Sequence, residues 1–241
     1  MRIDPEKCIS CLECVDLCPM NCIMEGDQVV RIDEDECVEC GVCLKAGVCP
    51  VDAIYMPEES KKYPRSIRAM FSDPDVQYPG LNQGGRGTEE MKTNDVTGRY
   101  RRGEYGMALE FGRPGTGTRI AEIEKVAKVV CPMDVHIEEA NPVYHLLLAD
   151  TKTGKMKPEV LQEKVLSAIL EIKIKEEQLE EIINKLTPVL EQVDTVVSWG
   201  LVTRFAEDGT LPVRSRLKYL GIPVRPNAKI NMGLGRPIVE E

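Results

Sequence analysis

The chain has 241 residues and a formal net charge of −9, with 42% hydrophobic and 29% charged residues, enough apolar material for one large domain or two small ones. The acidic balance argues against nucleic acid as the main partner, because phosphate binding relies on basic patches. No apolar run approaches the ~20 residues that span a bilayer, and Met1–Pro5 leads into charge and cysteine rather than a secretory apolar stretch. No membrane insertion and a cytoplasmic location are therefore expected.

Nine of the ten cysteines precede Pro50, and only Cys131 follows. In a reducing compartment such crowding points to metal rather than to disulfides. The first run, CISCLECVDLCP, holds Cys8, Cys11, Cys14, Cys18 and Pro19 in the pattern C-x2-C-x2-C-x3-C-P; the second, CVECGVCLKAGVCP, holds Cys37, Cys40, Cys43, Cys49 and Pro50. Three cysteines two residues apart on a tight loop direct three thiolates to three iron corners of a cubane, and the fourth corner must be reached from elsewhere. In the bacterial two-cluster pattern the fourth cysteine of each run serves the other cluster. That assigns Cys8, Cys11, Cys14 and Cys49 to one 4Fe-4S cluster, and Cys37, Cys40, Cys43 and Cys18 to a second. Zinc is the competing reading, but its sites use paired cysteines and histidines, and neither histidine lies in this region.

The runs are an internal repeat. At an offset of 29 residues the first three cysteines of each coincide; two extra residues after Cys43 raise the offset to 31, and Cys18-Pro19 then falls on Cys49-Pro50. At the same offset Cys22 falls on Ala53. A position that accepts alanine suits a small buried side chain, and free cysteine behaves as a small hydrophobe. Cys22 is thus expected to be packing rather than a ligand.

On these motifs residues 1–59 resemble a bacterial-type dicluster ferredoxin domain. The resemblance implies electron transfer, with short strands near Arg2–Asp4 and Val29–Asp33. The sequence departs from the family where LKAGV puts five residues between Cys43 and Cys49 instead of the usual three; a loop containing Gly47 can absorb the excess. Residues 1–59 carry 14 acidic against 4 basic side chains, an envelope that could steer a basic redox partner or serve only as a solvated surface.

Residues 60–103 change texture, to Gly, Pro, Arg and Asn with no lasting period, and are expected to be an irregular linker or docking segment. Packing against protein is preferred there over an anionic cofactor gripped by Arg86, Arg99, Arg101 and Arg102. Residues 104–241 regain periodicity. Tyr105–Phe111 reads as a strand, Thr118 as a helix N-cap, Ile120–Val130 as an amphipathic helix and Met133–Glu138 as a strand. Pro158–Ile172 and Lys175–Leu186 read as helices, and Asp194–Phe205 as a long strand. The class is α+β, and the element order suggests a ferredoxin-like split βαβ unit.

Other features read as structural. The glycine-rich Gly112–Arg119 loop lacks a full dinucleotide fingerprint and is expected to be a turn, with Asn231–Pro237 of similar character. His136 and His145 have no identifiable base or orienting partner. Cys131 is expected to be a buried thiol, and Trp199 core or interface. No catalytic residue emerges. The phrases GRGTEEMKTNDVTGRY, GRPGTGTR, NPVYHLLLADTKTG and PVRPNAKINMGLGRP resemble the region after the ferredoxin domain in 6-hydroxynicotinate reductase-like iron-sulfur proteins. Those longer enzymes carry further sequence that has no counterpart here, and with no catalytic residue identified the expectation is an electron-relay subunit serving a catalytic subunit of an anaerobic oxidoreductase complex. The alternatives are a self-contained reductase of an N-heteroaromatic acid carrying flavin, and a redox-sensing regulatory or assembly protein.

Overall fold

The computed structural model describes residues 1–79, 98–113 and 115–224. The first part of the chain forms β1 (Arg2–Ile3), β2 (Ile23–Met24), β3 (Arg31–Ile32), the single-turn α1 (Val42–Lys45) and β4 (Ile54–Tyr55). The sequence repeat is carried into the backbone. Ile3 pairs with Ile54 across β1 and β4, and Ile32 pairs with Ile23 across β3 and β2, both antiparallel; each pair is the other displaced by the repeat. The amide of Asp4 donates to the Ala53 carbonyl at 2.8 Å, and its repeat equivalent, Asp33, donates to Cys22 at 2.8 Å. The two extra residues of the second half are taken up by α1 and by Gly47, which sits at φ 62°. Strands this short are marginal alone. They are held by a core of Met1, Ile23, Val30, Ile54 and the cysteines 14, 22, 37 and 43.

A second core runs from Ile67 to Val213. The segment expected to be irregular contributes α2 (Ser66–Ser72) to it, with Ile67 and Phe71 each 2% exposed. That corrects the sequence reading: Ile67, Met70 and Phe71 stand at helical spacing against the second core, but over seven residues, too short a stretch to register as a lasting period. There follow β5 (Glu104–Phe111), β6 (Thr118–Arg119), α3 (Ile120–Val130), β7 (His136–Ile137), β8 (Leu148–Asp150), β9 (Lys155–Met156), β10 (Lys164–Val165), β11 (Ala168–Lys175), α4 (Leu179–Leu190), β12 (Val197–Val202) and α5 (Pro212–Tyr219).

The central sheet has the order β12-β5-β11-β7 with all neighbours antiparallel. With α3 after β5 and α4 after β11, the succession is β-α-β-β-α-β, an α+β arrangement. Met107, Leu109 and Phe111 of β5 and Leu170, Ile172 and Ile174 of β11 form one core with Ile123 and Val126 of α3 and Leu179 and Ile182 of α4. No helix among the described residues is long and apolar enough to cross a membrane.

Several sequence expectations are corrected here. Pro158–Ile172 is not a helix but a 3-10 turn at Pro158–Val160, the bridge strand β10 and the start of β11. Its apolar residues can be matched at spacings of three and four, yet Leu-Glu-Ile-Lys-Ile-Lys over 170–175 alternates strictly, and the period of two prevails because β5 supplies a full-length partner. The expected helix at Lys175–Leu186 begins at Leu179 and continues to Leu190. Of Met133–Glu138 only His136 and Ile137 pair as a strand, and Asp194–Phe205 contracts to Val197–Val202. Thr118 does not cap α3: it lies in β6, Arg119 occupies the cap position, and the Thr118 hydroxyl donates to the Arg119 carbonyl at 3.1 Å.

Candidate metal centre

The two cysteine runs bend through left-handed backbone at equivalent places. Ser10 and Glu39 have φ of 53° and 55°, Leu12 and Gly41 have 66° and 70°, and Asn21 and Asp52 have 51° and 49°. Left-handed residues alternating with ordinary ones turn backbone amides towards the inside of the loop. The Cys22 amide donates to Cys18 Sγ at 3.4 Å, and its equivalent, the Ala53 amide, donates to Cys49 Sγ at 3.2 Å. Such donors stabilise the thiolate form.

Each bend wraps a cavity. One is lined by Cys8, Cys11, Cys14 and Cys49 with Ile3, Val30 and Ile54. The other is lined by Cys18, Cys37, Cys40 and Cys43 with Met1, Ile23 and Ile32. The apolar walls are again repeat equivalents exchanged between the halves. Among the described residues no three His, Cys, Asp or Glu side chains draw together round one ion. The four sulfurs of each set surround a volume instead, which suits a polynuclear cluster with one thiolate per metal better than a single zinc ion.

The electrostatics favour the same occupant. Burial pushes the Cys14 and Cys40 thiols up, and carries Cys43 up to about 12, with neighbouring thiolates adding to the shift. A cationic partner, as metal centres provide, favours the thiolate form of such buried cysteines. Cys22 shares the second cavity, with its sulfur 3.4 Å from Cys18 Sγ. Its thiol, pushed well up, serves as donor: Cys18 is held down at about 5 and Cys37 at about 6, each principally by the hydrogen bond from Cys22. Sequence comparison of the halves detects that Cys22 lacks a cysteine equivalent, but not that it touches two ligating candidates.

The surroundings of the two sets differ. Around the second, Glu39 is fully buried and receives the amino group of Met1, Arg65 Nη2 at 2.7 Å and the Ser60 hydroxyl at 3.3 Å. Burial works against its charge, but these donors outweigh burial and hold the carboxyl below its usual range. Arg68, 3% exposed, donates through Nη1 to the carbonyls of Glu34, Asp35 and Cys37 at 3.2, 2.7 and 2.8 Å, and through Nε to Glu163 of the second core. Arg119 reaches Asp35 at 2.7 Å and Glu36 at 2.9 Å, and Lys164 also pairs with Glu36. Of these side chains only Arg119 fell within a motif visible in the sequence, and not for this contact; an arginine in a short helix gives no sign of its partners.

The remaining candidates lie away from the cysteines or serve packing. In the Gly112–Arg119 loop, the amides of Thr116 and Gly117 both turn back to the Gly112 carbonyl, at 3.1 and 3.0 Å, so they are not free to hold an anion. The loop presses on the first unit: a Cβ on Gly117 would lie 2.6 Å from Met20 Cε, two residues past Cys18. Arg99 is paired with Glu138 at 2.6 Å and Arg102 with Glu207 at 3.6 Å, while the Arg101 amide bonds Glu104. Arg86 and Asn231–Pro237 lie outside the described residues. His136 is exposed on the edge strand β7; His145 is exposed and meets the Tyr144 ring edge-on at 5.1 Å. Cys131 is buried, and Trp199 packs against the second core.

Comparison with known proteins agrees with the geometry. The 4Fe-4S binding domain family matches residues 1–24. A protein named Ferredoxin 7Fe from Hydrogenibacillus schlegelii is 44% identical over 72 residues, covering 27% of this chain and 90% of that protein. Ferredoxins from Saccharopolyspora erythraea (42% identical, 28% of this chain, 68% of the relative) and Streptomyces griseus (44% identical, 25% of this chain, 59% of the relative) are similar in the same way. Each match thus covers about a quarter of this chain.

Proposed function

The chain belongs to the 4Fe-4S ferredoxins through about a quarter of its length, and from that premise we propose that it relays electrons through two 4Fe-4S clusters to a redox partner, the catalytic subunit of an anaerobic oxidoreductase. Cys8, Cys11, Cys14 and Cys49 hold one cluster, and Cys37, Cys40, Cys43 and Cys18 the other. When bound, each cluster supplies a one-electron couple. Residues 1–59 form the redox domain, α2 (Ser66–Ser72) helps fasten it, and the described residues from 104 to 224 form an α+β frame. The observation that carries the reading is that each cavity draws the first three cysteines of one run and the fourth of the other, Cys49 in the first and Cys18, beside Cys22, in the second.

The chain's own residues do three things in this reading. The apolar walls back each set of thiols on its inner side, the amides of Cys22 and Ala53 stabilise the fourth sulfur of each set, and the Cys22 thiol adds a donor to the second set alone. Crossing the ligands also ties the two halves together, so neither loop can open without disturbing both sites.

The test is the crossing itself. Cys18→Ala should damage the cluster of Cys37, Cys40 and Cys43, and Cys49→Ala the cluster of Cys8, Cys11 and Cys14, each variant retaining about half its iron. Cys22→Ala should keep both clusters. Iron analysis and EPR of the reduced, anaerobically purified variants decide this. Loss of an entire cluster on removing Cys22, or damage confined to the half in which the mutation lies, contradicts the assignment.

A further inference from the structure

The repeat supplies an internal control, because equivalent positions share similar local backbone and can be compared for what covers them. Ile9 is 61% exposed, whereas its equivalent, Val38, is 1% exposed. Cys11 is exposed and Cys40 half-buried; Cys8 is half-buried and Cys37 buried. The difference comes from the second core. Arg68, Arg119 and Lys164 grip Glu34, Asp35 and Glu36 beside the second set of cysteines, while the equivalents of those three residues, Pro5, Glu6 and Lys7, are all exposed.

The charges differ in the same sense. Glu13 stands where the second half has Val42. In the stretch after the third cysteine the first half carries Asp16 and the second Lys45, which is paired with Asp73 and Asp75; Glu13 and Asp16 are exposed and make no ion pair with a described residue. The Cys8–Cys14 loop therefore presents Ile9 and Leu12, 61% and 39% exposed, within an acidic rim directly over the more exposed set of thiols.

Resting on the relay reading, we infer that this face is the electron port: a redox protein docks on Ile9 and Leu12, presenting an apolar patch ringed by lysine or arginine above its own cofactor. An apolar centre within a charged rim is the anatomy of transient interfaces, and opposite rim charge accelerates encounter. One electron then leaves the cluster nearest Cys11 for the partner's one-electron acceptor, and no bond or proton is transferred.

Cytochrome c, a basic haem protein, serves as the probe. Its ferric form should bind the holoprotein at low ionic strength by calorimetry, and should be reduced by dithionite-reduced protein in stopped flow at a rate that falls steeply with salt. Ile9→Lys, Glu13→Lys and Asp16→Lys should each weaken binding and slow reduction by roughly tenfold. Val42→Lys, the equivalent of Glu13 in the second half and itself 41% exposed, should change both by less than about twofold, because it lies over the other set of thiols. Asp16 lies outside the cavity wall, so its variant remains informative if Ile9→Lys loses a cluster, and EPR of every variant reports the clusters separately. Full cluster signals with unchanged binding in the Asp16 and Glu13 variants, or equal weakening by Val42→Lys, overturn the port and leave the relay reading standing. Wild-type protein without reducible clusters overturns the relay reading itself.

Discussion

Arg68→Met tests how the cysteine repeat is fastened to the second core. Methionine retains most of the aliphatic stem, so the change removes charge and donors more than packing. Arg68 is 3% exposed, donates to three backbone carbonyls at 2.7–3.2 Å and pairs with Glu163, whose side chain is 13% exposed. Those three carbonyls share one nitrogen, so their contributions do not add as independent bonds. Removing one member of a buried charged pair costs about 3–5 kcal/mol, and partial exposure of Glu163 places the estimate near ~4 kcal/mol. For a chain of this size that corresponds to a fall in Tm of roughly 8–16 °C. The assay is thermal unfolding followed by far-UV circular dichroism and by cluster absorbance. Cluster bleaching should accelerate together with unfolding, because Arg68 holds the carbonyl of Cys37 itself. Arg68→Lys should recover part of the loss, since an ammonium is a point charge that cannot span the same fork. A Glu163→Gln cycle should give a coupling above about 1 kcal/mol. A loss below about 1 kcal/mol for Arg68→Met, with no coupling to Glu163, refutes the fastening role.

Two further outcomes follow from local geometry. Burial pushes the Cys131 thiol up to about 11, with Asp150 adding to the shift, so at pH 8 its thiolate population lies on the order of 10²-fold below that of an ordinary cysteine; peptide mapping after iodoacetamide should find Cys131 unmodified in native protein and modified once unfolded. Gly154 and Gly47 both have positive φ, but a Cβ on Gly154 would sit 2.2 Å from the Ala127 carbonyl oxygen of α3, whereas one on Gly47 meets nothing within 4 Å. Gly47→Ala should therefore cost only the backbone preference, about 1 kcal/mol, and Gly154→Ala more than about 2 kcal/mol; equal Tm values for the two variants would contradict this.

The cysteine-rich part was legible because its signal is covalent spacing. Ligand candidates, the repeat and even its two-residue excess can be counted along the chain, and the short strands β1 and β3 fall where the reading placed them. The α+β body was legible where one period dominates: β5 and α3 each show a single clean pattern. It failed at 158–172, where matches at spacings of three and four competed with an alternation that only a long-range partner stabilises. It failed also at 143–156, where a π-helical turn (Val143–Leu147) and the β8–β9 hairpin follow one another too closely to develop a period. The contacts that distinguish the two cysteine sets were not legible at all. Arg68 lies 31 residues from Cys37 and 95 from Glu163, and no local pattern announces a partner at such separations.

An ion pair buried between two cores is weak evidence for stability, because desolvation offsets most of the attraction. Its more consistent effect is to specify geometry, and the distribution of contacts here fits that role. The second core touches the repeat chiefly at Glu34–Cys37, through Arg68, Arg119 and Lys164, and near Cys18 through Gly117 against Met20. Both places belong to the loops around the second cysteine set, and the Cys8–Cys14 loop has no comparable attachment among the described residues. A repeat standing alone would offer two nearly equivalent ends. Fastened at one end, it offers the other, and the direction in which a partner can approach is determined by the α+β body rather than by the cysteines.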